Sequence, residues 1–237
     1  MQAFDRAAGA YRRTWDARPL VRFFRARVLA ACAANFPHAA RILDVGCGPG
    51  TDAVLLRALG HTVVAIDASA RMVDEALGRG VDARVLDASD VGRLEGPFDG
   101  ALSDFGALNC LPDLRPFGAG LARILRPGAV AILVVMGPRC LAESLALLSR
   151  GRAPRRGRPS VPVEGLDVPV RWLGPSQVAD ELGGAFRLLS VEALGALMPP
   201  PDLGGRPGLR ARIEPWVARW PGVRDNGDHL MLTLRRT

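Results

Sequence analysis

The chain has 237 residues, 49% of them hydrophobic, which is enough for one large domain with a substantial buried core. Its formal net charge is +7, and every basic residue is an arginine. The arginines are scattered along the chain, which favours a solvated basic surface over a nucleic-acid-binding patch. The longest apolar run, residues 129–136, is far shorter than the ~20 residues of a membrane-spanning helix.

Composition also bears on the compartment. The four cysteines show no C-x-x-C or metal-finger spacing, so we expect free thiols and no metal site. The first residues do not resemble a signal peptide, and we therefore expect a cytoplasmic protein.

Residues 1–35 precede the first strand. Val21, Phe24, Val28 and Cys32 recur at intervals of three and four, which predicts a helix with one apolar face. The only tyrosine of the chain, Tyr11, lies before this helix. Two interpretations stay open: a helix that packs on the sheet edge, or an arm that folds over a ligand with Tyr11 at its mouth.

The most informative stretch is residues 42–51, where a short apolar run leads into a turn rich in glycine. It contains one carboxylate and three glycines spaced by single residues: Asp44, Gly46, Gly48 and Gly50. An apolar-periodic segment, 54–59, follows directly. This order predicts a strand, a turn and a helix, the opening of a nucleotide-binding α/β unit. Thr51 stands where the dinucleotide pattern G-x-G-x-x-G requires glycine.

Two further strands end in carboxylates. The strand at 62–66 ends in Asp67 and precedes a helix with Ser69 at its N-cap. Asp67 is placed to accept the ribose hydroxyls of a nucleoside, with helix capping as the alternative. The strand at 83–86 ends in Asp87, which can accept a hydrogen bond from an adenine amino group or serve only as a loop aspartate.

The next units complete a parallel sheet. A fourth strand at 98–102 runs into Ser103, Asp104 and Phe105, and a helix over 114–124 leads to a fully apolar fifth strand, 129–136. Such a strand fits a sheet covered on both faces. Five successive β-α units predict a doubly wound α/β fold.

The pattern changes after Pro138. Leu141, Leu145 and Leu148 predict an amphipathic helix, and the arginine-rich stretch 149–158 follows. That stretch could contact phosphates or an anionic surface, but no aromatic residues interleave it for base stacking, and a solvated loop is favoured. Beyond it we predict an extended segment at 168–173, helices at 175–182 and around 209–219, and strands at 186–194 and 229–234.

Four ordered motifs resemble those of the class I S-adenosylmethionine-dependent methyltransferases. Asp44-Val45-Gly46-Cys47-Gly48-Pro49-Gly50 resembles the first motif and Asp67 the second. The stretch 98–103 is similar to the fourth, and 121–129 is similar to the helix-turn-strand segment written "L…LkPGG", with Ala129 in place of a glycine. The resemblance covers residues 4–136.

The resemblance implies a Rossmann-like seven-stranded sheet whose last strand is antiparallel and lies between strands five and six. It implies that the three glycines cradle S-adenosylmethionine, that Asp67 holds the ribose and that Asp44 anchors the amino-acid end. The product would be S-adenosylhomocysteine. The full expected cofactor-binding set is Tyr11, Asp44, Gly46, Cys47, Gly48, Gly50, Asp67, Ala68, Met72, Asp87, Ala88 and Ser103.

The implied fold divides the chain into four segments. They are an N-terminal helical arm (1–35), a cofactor-binding core (36–137), a lid insertion after strand five (138–185) and the closing strands (186–237).

Topology narrows the candidates for a catalytic base. If the last strand is antiparallel, its beginning lies at the sheet edge that holds the cofactor, so His229 starts near the reaction centre. His38 and His61 precede strands at the opposite edge. We therefore name His229 as the candidate base or orienting group, with Asp104 as its rival and a structural role for His229 equally open.

The acceptor is expected to be a hydrophobic small molecule, such as a natural product, a quinone or other aromatic compound, or a lipid. Residues 103–105 lack the Asn/Asp-Pro-Pro-aromatic loop of amino-methylating DNA enzymes, and Cys110 follows Asn109 rather than proline. An apolar roof is expected from the leucines of 141–148, residues 194–201 and Trp172. The expected substrate-binding residues are Phe105, Asn109, Met136, Leu141 and Met198.

Two alternatives remain. One is an RNA-directed methyltransferase that uses the basic loop 150–158. The other is a protein that binds S-adenosylmethionine without methylating, as a regulatory or accessory partner. Monomer and homodimer are both open.

Overall fold

The computed structural model describes residues 2–153 and 156–237. Residues 154 and 155 of the arginine-rich stretch therefore lie outside the described residues. The strands are β1 (Arg41–Val45), β2 (Thr62–Asp67), β3 (Asp82–Val85), β4 (Phe98–Ser103), β5 (Leu125–Met136), β6 (Ser160–Val163), β7 (Leu166–Pro169), β8 (Phe186–Leu194) and β9 (His229–Arg236). The helices are α1 (Gln2–Tyr11), α2 (Pro19–Asn35), α3 (Thr51–Ala58), α4 (Ala70–Leu77), α5 (Arg115–Ile124), α6 (Leu141–Leu148), α7 (Pro175–Leu182) and α8 (Arg210–Val217).

Seven strands form one sheet in the order β3-β2-β1-β4-β5-β9-β8. The first five are parallel, and β9 runs antiparallel to both β5 and β8. The doubly wound, seven-stranded sheet is confirmed, as is the position of the antiparallel last strand between strands five and six. Because β1 to β4 are parallel, their carboxyl ends meet at one edge of the sheet.

Helices cover both faces of this sheet. On one face, the apolar side of α2 buries Phe24, Val28 and Cys32, which belong to the same core cluster as Ile42 and Ile132 of the sheet. On the other, α5 and α7 bury Phe117, Leu121 and Val178. Strand β5 is buried from residue 129 to residue 135, as its unbroken apolar run predicts.

The N-terminal arm crosses the carboxyl edge of the sheet. Helix α1 packs on α4, where Ala7 and Ala8 meet Met72. The Ser69 hydroxyl donates a 2.6 Å hydrogen bond to Asp5, which fixes the start of α1 against the start of α4. A π-helical turn, Arg12–Asp16, then leads to α2. The helix expected to pack on the sheet is α2. The arm expected to fold over a ligand corresponds to α1, which lies over the edge of the sheet.

The segment between β5 and β8 contains α6, the hairpin β6–β7 and α7. The hairpin forms around Glu164 and Gly165, both at positive φ, as tight two-residue hairpin turns require. We predicted an extended segment at 168–173, whereas the strand ends at Pro169. Among the described residues, no helix has the length and apolar character to cross a bilayer.

Candidate functional site

A cavity of about 300 Å3 opens at the carboxyl ends of β1 to β4, and we call it the edge cavity. The glycine turn forms its floor, and the ends of β2, β3 and β4 form its sides. Helix α1 and strand β7 close it from above. Its lining includes Phe4, Tyr11, Arg25, Gly46, Cys47, Gly48, Asp52, Asp67, Ala68, Met72, Leu86, Asp87, Ala88, Asp104, Phe105, Leu111, Val168 and Pro169.

The three positions of the turn require glycine for different structural reasons. Gly46 has φ +72°, and a Cβ there would stand 2.2 Å from the Cβ of Ala107. Gly48 has φ +51° and would meet nothing within 4 Å, so its backbone faces open space beside the cavity. Gly50 does not line the cavity and faces Ala76 of α4 instead. A Cβ at Gly50 would stand 2.9 Å from the Cβ of Ala76. Glycine is therefore required by close approach at two positions and by conformation at all three.

Asp67 holds the turn in place from the end of β2. Its Oδ2 accepts a 2.8 Å hydrogen bond from the Gly48 backbone N–H, and its Oδ1 accepts one of 2.8 Å from Ser69. Burial raises the pKa of this carboxyl. Each oxygen keeps a second lone pair, so the carboxylate can still accept hydrogen bonds from a ligand in the cavity.

Asp87, two residues after β3, caps a turn and also lines the cavity. Its Oδ1 caps the following 3-10 turn by accepting from the backbone N–H and the hydroxyl of Ser89, at 2.8 and 2.6 Å. It also lines the cavity, together with Leu86 and Ala88 on either side. A carboxylate between two apolar side chains suits a flat ring that carries an amino group.

Two buried carboxyls, Asp44 and Asp104, each keep one oxygen without a hydrogen-bond partner among the described residues. Asp104 lines the cavity, and its other oxygen accepts a 2.7 Å hydrogen bond from the Phe105 backbone N–H. Burial, and then the neighbouring Asp52 carboxylate, raise the pKa of both groups well above the usual aspartate range. Buried polar atoms of this kind normally have partners, so these two oxygens mark a place for a ligand or water.

An ion network beneath the cavity was not predicted from the sequence. Arg25 of α2 donates to Asp52 at 2.7 Å and to Asp16 at 3.1 Å, and its guanidinium lies 4.9 Å above the ring of Phe105. Asp16 also accepts a 2.6 Å hydrogen bond from the Thr51 hydroxyl. The sequence feature that could have predicted this network is Arg25 beside the apolar face of α2, since a charge there requires a buried partner.

Comparison with known proteins finds a methyltransferase domain in part of the chain. A family model described as a methyltransferase domain matches residues 42–128, which contain the glycine turn, Asp67, Asp87 and Asp104. A ubiquinone biosynthesis O-methyltransferase of Xanthomonas axonopodis pv. citri is 32% identical over 155 residues, which cover 61% of this chain and 64% of the relative. The chain therefore aligns with less than two thirds of that relative's length.

The chain resembles the class I S-adenosylmethionine-dependent methyltransferases, and its residues 42–128 match a methyltransferase domain.

Solved structures agree in fold. A methyltransferase of Thermotoga maritima described as a possible histamine N-methyltransferase has a TM-score of 0.68 at 19% identity, covering 100% of this chain and 99% of its own. The 1,6-didemethyltoxoflavin-N1-methyltransferase of Burkholderia thailandensis, solved with that substrate and S-adenosylhomocysteine, has a TM-score of 0.59 at 20% identity, covering 100% and 86%.

The cofactor of this family is S-adenosylmethionine, and the edge cavity has the residues to fit it. Gly48 leaves open space beside the cavity, and the carboxylates Asp67 and Asp87 stand at successive strand ends. The unpartnered Asp44 oxygen lies behind the turn. Tyr11, Cys47, Ala68, Met72 and Ala88 line the cavity as expected of the cofactor set.

His229 is at the expected edge of the sheet but does not reach the cavity. Its side chain is buried beneath Phe105, with ring centroids 5.6 Å apart, and its Nδ1 lies 2.9 Å from an oxygen of Asp228. Asp228 is bonded in turn to Arg156. The geometry therefore corrects the choice of His229 as the leading base, because of the two candidates only Asp104 lines the cavity.

Ser103 and Asn109 hold the backbone and do not line the cavity. The Ser103 hydroxyl donates a 3.0 Å hydrogen bond to the Val45 carbonyl, which ties β4 to β1. The Asn109 amide donates to the carbonyls of Met136 and Arg171 and accepts from the Met136 N–H. Ser103 was expected to bind the cofactor, and Asn109 and Met136 the substrate. All three make hydrogen bonds within the fold instead, and the cavity wall begins at Asp104.

The apolar roof expected from α6 is also corrected. Leu141, Leu145 and Leu148 are each more than half exposed, and none lines the cavity, because α6 turns Leu147 inward instead. Met198 is only 2% exposed and packs in the main core. The roof comes from α1 and β7, with Phe4, Tyr11, Val168 and Pro169, and Phe105 remains a wall residue as expected.

Arg156 shows how part of the arginine-rich stretch is used. Its side chain, 7% exposed, pairs with Glu143 and Asp228 at 2.7 Å each and donates to the Gly137 carbonyl. Its guanidinium also lies 4.8 Å from the ring centre of Trp172. This arginine is therefore buried in the fold and is not a solvated loop residue offered to phosphate.

Proposed function

We propose that this chain transfers the methyl group of S-adenosylmethionine to a hydroxyl of a hydrophobic aromatic small molecule. The observation that carries the proposal is that one cavity combines apolar walls with the buried carboxyl of Asp104, one oxygen of which has no hydrogen-bond partner among the described residues. S-Adenosylmethionine, when bound, supplies a methyl group on a positively charged sulfur. The protein must then bind, orient and deprotonate the acceptor.

The charges around the edge cavity favour a cationic ligand. Four carboxyl groups line it, from Asp52, Asp67, Asp87 and Asp104, and Asp44 lies just behind. Arg25 is its only basic lining residue, and Asp52 and Asp16 already pair with it. In a chain with a net charge of +7, this local excess of acid supports selection of a positively charged cofactor over an anionic nucleotide.

The positions of the strand ends suggest where each substrate binds. Asp87, Asp67 and the glycine turn follow β3, β2 and β1, which are neighbours in the sheet, so the cofactor would extend along these three ends. Asp104 and Phe105 follow β4, the next strand. The acceptor would therefore bind over β4, beneath Tyr11, Phe4 and Val168.

Asp104 is suited to take the acceptor's proton. Its raised pKa makes its ionised form a stronger base than an exposed aspartate. The free oxygen can accept the hydroxyl hydrogen, while the Phe105 N–H fixes the other oxygen. Holding the acceptor in line can by itself supply ~7–11 kcal/mol of barrier reduction, so Asp104 adds to positioning and does not replace it.

The walls and the relatives support the acceptor class. Phe4, Phe105, Leu111 and Val168 present apolar surface, which suits a hydrophobic ring. The Xanthomonas relative is named as an O-methyltransferase of ubiquinone biosynthesis, and the Burkholderia enzyme was solved with a small heterocyclic substrate. Both names support a small-molecule acceptor.

Mass spectrometry tests the proposal directly. The protein is incubated with S-adenosylmethionine and a panel of phenols and catechols with and without alkyl chains. We expect one methyl group on a hydroxyl of an alkylated member, and loss of that product in Asp104→Asn. Cofactor binding without methylation of any member would overturn the proposal in favour of an accessory protein, and methylated RNA under the same conditions would overturn it in favour of RNA.

A further inference from the structure

A second and larger cavity, about 620 Å3, lies beside the edge cavity, and we call it the arginine cavity. It is bounded by the end of α1 and the π-helical turn, by α2, and by α3 and α4. Arg25 and Thr51 line both cavities, so these side chains form the wall between them. Neither the cofactor nor the acceptor proposed above requires this second space.

Five arginines line the arginine cavity: Arg12, Arg13, Arg22, Arg25 and Arg79. Only two carboxylates, Asp16 and Glu75, face them, so the lining carries a net charge of +3 by simple difference. Asp16 is already engaged, because its oxygens accept from Arg25 and Thr51. The two acidic residues of the lining therefore do not neutralise its five arginines, and the cavity carries a net positive charge.

Three of these arginines have no carboxylate partner among the described residues. Arg12, Arg13 and Arg22 are exposed, and no described carboxylate oxygen lies within 4.0 Å of their guanidinium groups. Arg79 is half-buried and donates to the Pro49 carbonyl and the Thr51 hydroxyl. Burial, and then the charge of Arg12, lower the pKa of Arg79, so the cations of the cavity repel one another.

We propose that the arginine cavity binds a small molecule that carries a diphosphate or triphosphate group. A guanidinium group can donate two parallel N–H hydrogen bonds to two phosphate oxygens. Arg12, Arg13 and Arg22 together offer more donors than one carboxylate can use. The volume is also far larger than a single phosphate needs. The arginines converge on one solvent-open cavity from several sides and do not extend in a line along a surface, which favours a small polyanion over a nucleic-acid strand.

The same site is connected to the cofactor cavity. Arg12 and Arg13 belong to the N-terminal arm, whereas Arg79 lies in the turn after α4 and holds the glycine turn through Pro49. A polyanion bridging them would remove their repulsion and hold the arm over the edge cavity. Since Tyr11 and Phe4 of the arm line that cavity, the bound polyanion would tighten cofactor binding, and the cofactor would tighten polyanion binding equally.

Calorimetric titration with inorganic pyrophosphate and tripolyphosphate tests the site without any methyl transfer. The test variant is Arg12→Gln/Arg13→Gln, and the matched control is Arg206→Gln/Arg212→Gln, which removes the same charge from two exposed arginines elsewhere. We expect saturable binding in the native protein and the control. We also expect at least tenfold weaker binding in the test variant, and tighter S-adenosylhomocysteine binding with tripolyphosphate only where the arm arginines remain.

Three results would overturn the inference. The first is equal weakening in the two variants, which would mean diffuse attraction to a basic protein. The second is no saturable binding of either polyphosphate to a natively folded sample. The third is tighter binding of a short single-stranded RNA than of tripolyphosphate, with the same dependence on Arg12 and Arg13, which would make the cavity part of a nucleic-acid interface.

Discussion

Phe105 separates His229 from the edge cavity. The two rings meet edge to face, with their centroids 5.6 Å apart at 81°, and of the two only Phe105 lines the cavity. Phe105 adopts φ +49°, a left-handed conformation that is uncommon outside glycine, and its N–H is held by Asp104 at 2.7 Å. One local arrangement thus covers the histidine and fixes the aspartate, which supports the proposal that Asp104 takes the acceptor's proton.

Exchanging the two candidate bases tests that assignment. For Asp104→Asn we expect kcat to fall by roughly 10²–10⁴, the usual contribution of a general base. For His229→Asn, which can keep a hydrogen bond to Asp228, we expect kcat to change by less than about threefold, because no proton transfer passes through it. Steady-state rates with a saturating acceptor measure both effects.

The control for this pair is thermal unfolding, which confirms that each variant is folded before rates are compared. If His229→Asn lost activity by orders of magnitude while Asp104→Asn kept it, His229 would return as the base. Phe105 would then have to move during turnover.

Asp44→Asn should stabilise the protein at neutral and alkaline pH. The pKa of Asp44 is raised in the folded chain, so the folded state keeps a proton that the unfolded chain loses above about pH 4. The native protein therefore loses stability as pH rises from there towards the folded pKa, at up to about 1.4 kcal/mol per pH unit. Asparagine has no such proton, so its advantage grows over the same window.

Urea unfolding at several pH values between 4 and 8 measures this difference. Asp74→Asn is the matched control, because Asp74 is an exposed aspartate on α4 and its replacement makes the same chemical change away from the cavity. If Asp44→Asn were less stable than the native protein throughout the range, the carboxyl would be ionised in the folded state. The account of the unpartnered oxygen would then be wrong.

Cofactor binding should release protons. Burial raises the pKa values of Asp44 and Asp104, so the free protein loses their protons at a higher pH than exposed aspartates would. A cationic ligand favours the ionised forms, so S-adenosylmethionine should expel protons and bind more tightly as pH rises, whereas the neutral sulfur of S-adenosylhomocysteine should expel fewer. Titration calorimetry in MOPS and in Tris, which differ in ionisation enthalpy and contain no phosphate, counts the protons.

The double variant Asp44→Asn/Asp104→Asn is the control for proton release, since it lacks both groups. Equal heats in the two buffers for the native protein would show that these carboxyls do not respond to the sulfonium charge.

The order of the parallel strands could be predicted because each unit has its own local pattern. An apolar run, a carboxylate and an amphipathic helix repeat at residues 42–59 and 62–77, and a third strand with a carboxylate follows at 83–87, so each pattern is readable without the others. The position of β9 was different. No local pattern places residues 229–236 between β5 and β8, so that pairing came from the family resemblance.

The side chains around the cavity were harder to predict because they meet across long stretches of chain. Arg25 and Asp52 are 27 residues apart, and Asp52 alone reads as an ordinary first-turn aspartate of α3. The edge on which His229 begins was predictable from topology. Its burial was not, since that depends on the backbone conformation of Phe105, more than a hundred residues away.

Substitutions of two glycines in the turn should affect stability and cofactor binding to different extents. For Gly48→Ala we expect a stability loss of about 1 kcal/mol, the cost of a left-handed alanine, together with at least about tenfold weaker cofactor binding. For Gly46→Ala we expect a larger loss, about 2–3 kcal/mol, because its Cβ would overlap that of Ala107. Urea unfolding and calorimetric titration measure the two effects.

Ala107→Gly in the Gly46→Ala background provides the matched control, as it removes the overlapping atom and should recover part of the stability. Gly48→Ala with unchanged cofactor affinity would show that the cofactor does not approach the backbone at this position.

The central claim is that the edge cavity is the cofactor site, and one calorimetric titration with S-adenosylmethionine tests it most directly. We predict saturable binding to the native protein, loss of binding in Asp67→Ala, and unchanged binding in Asp82→Ala, an exposed aspartate on neighbouring β3. A native protein that shows no binding, or an Asp67→Ala variant that binds as tightly as the native protein, would contradict the claim.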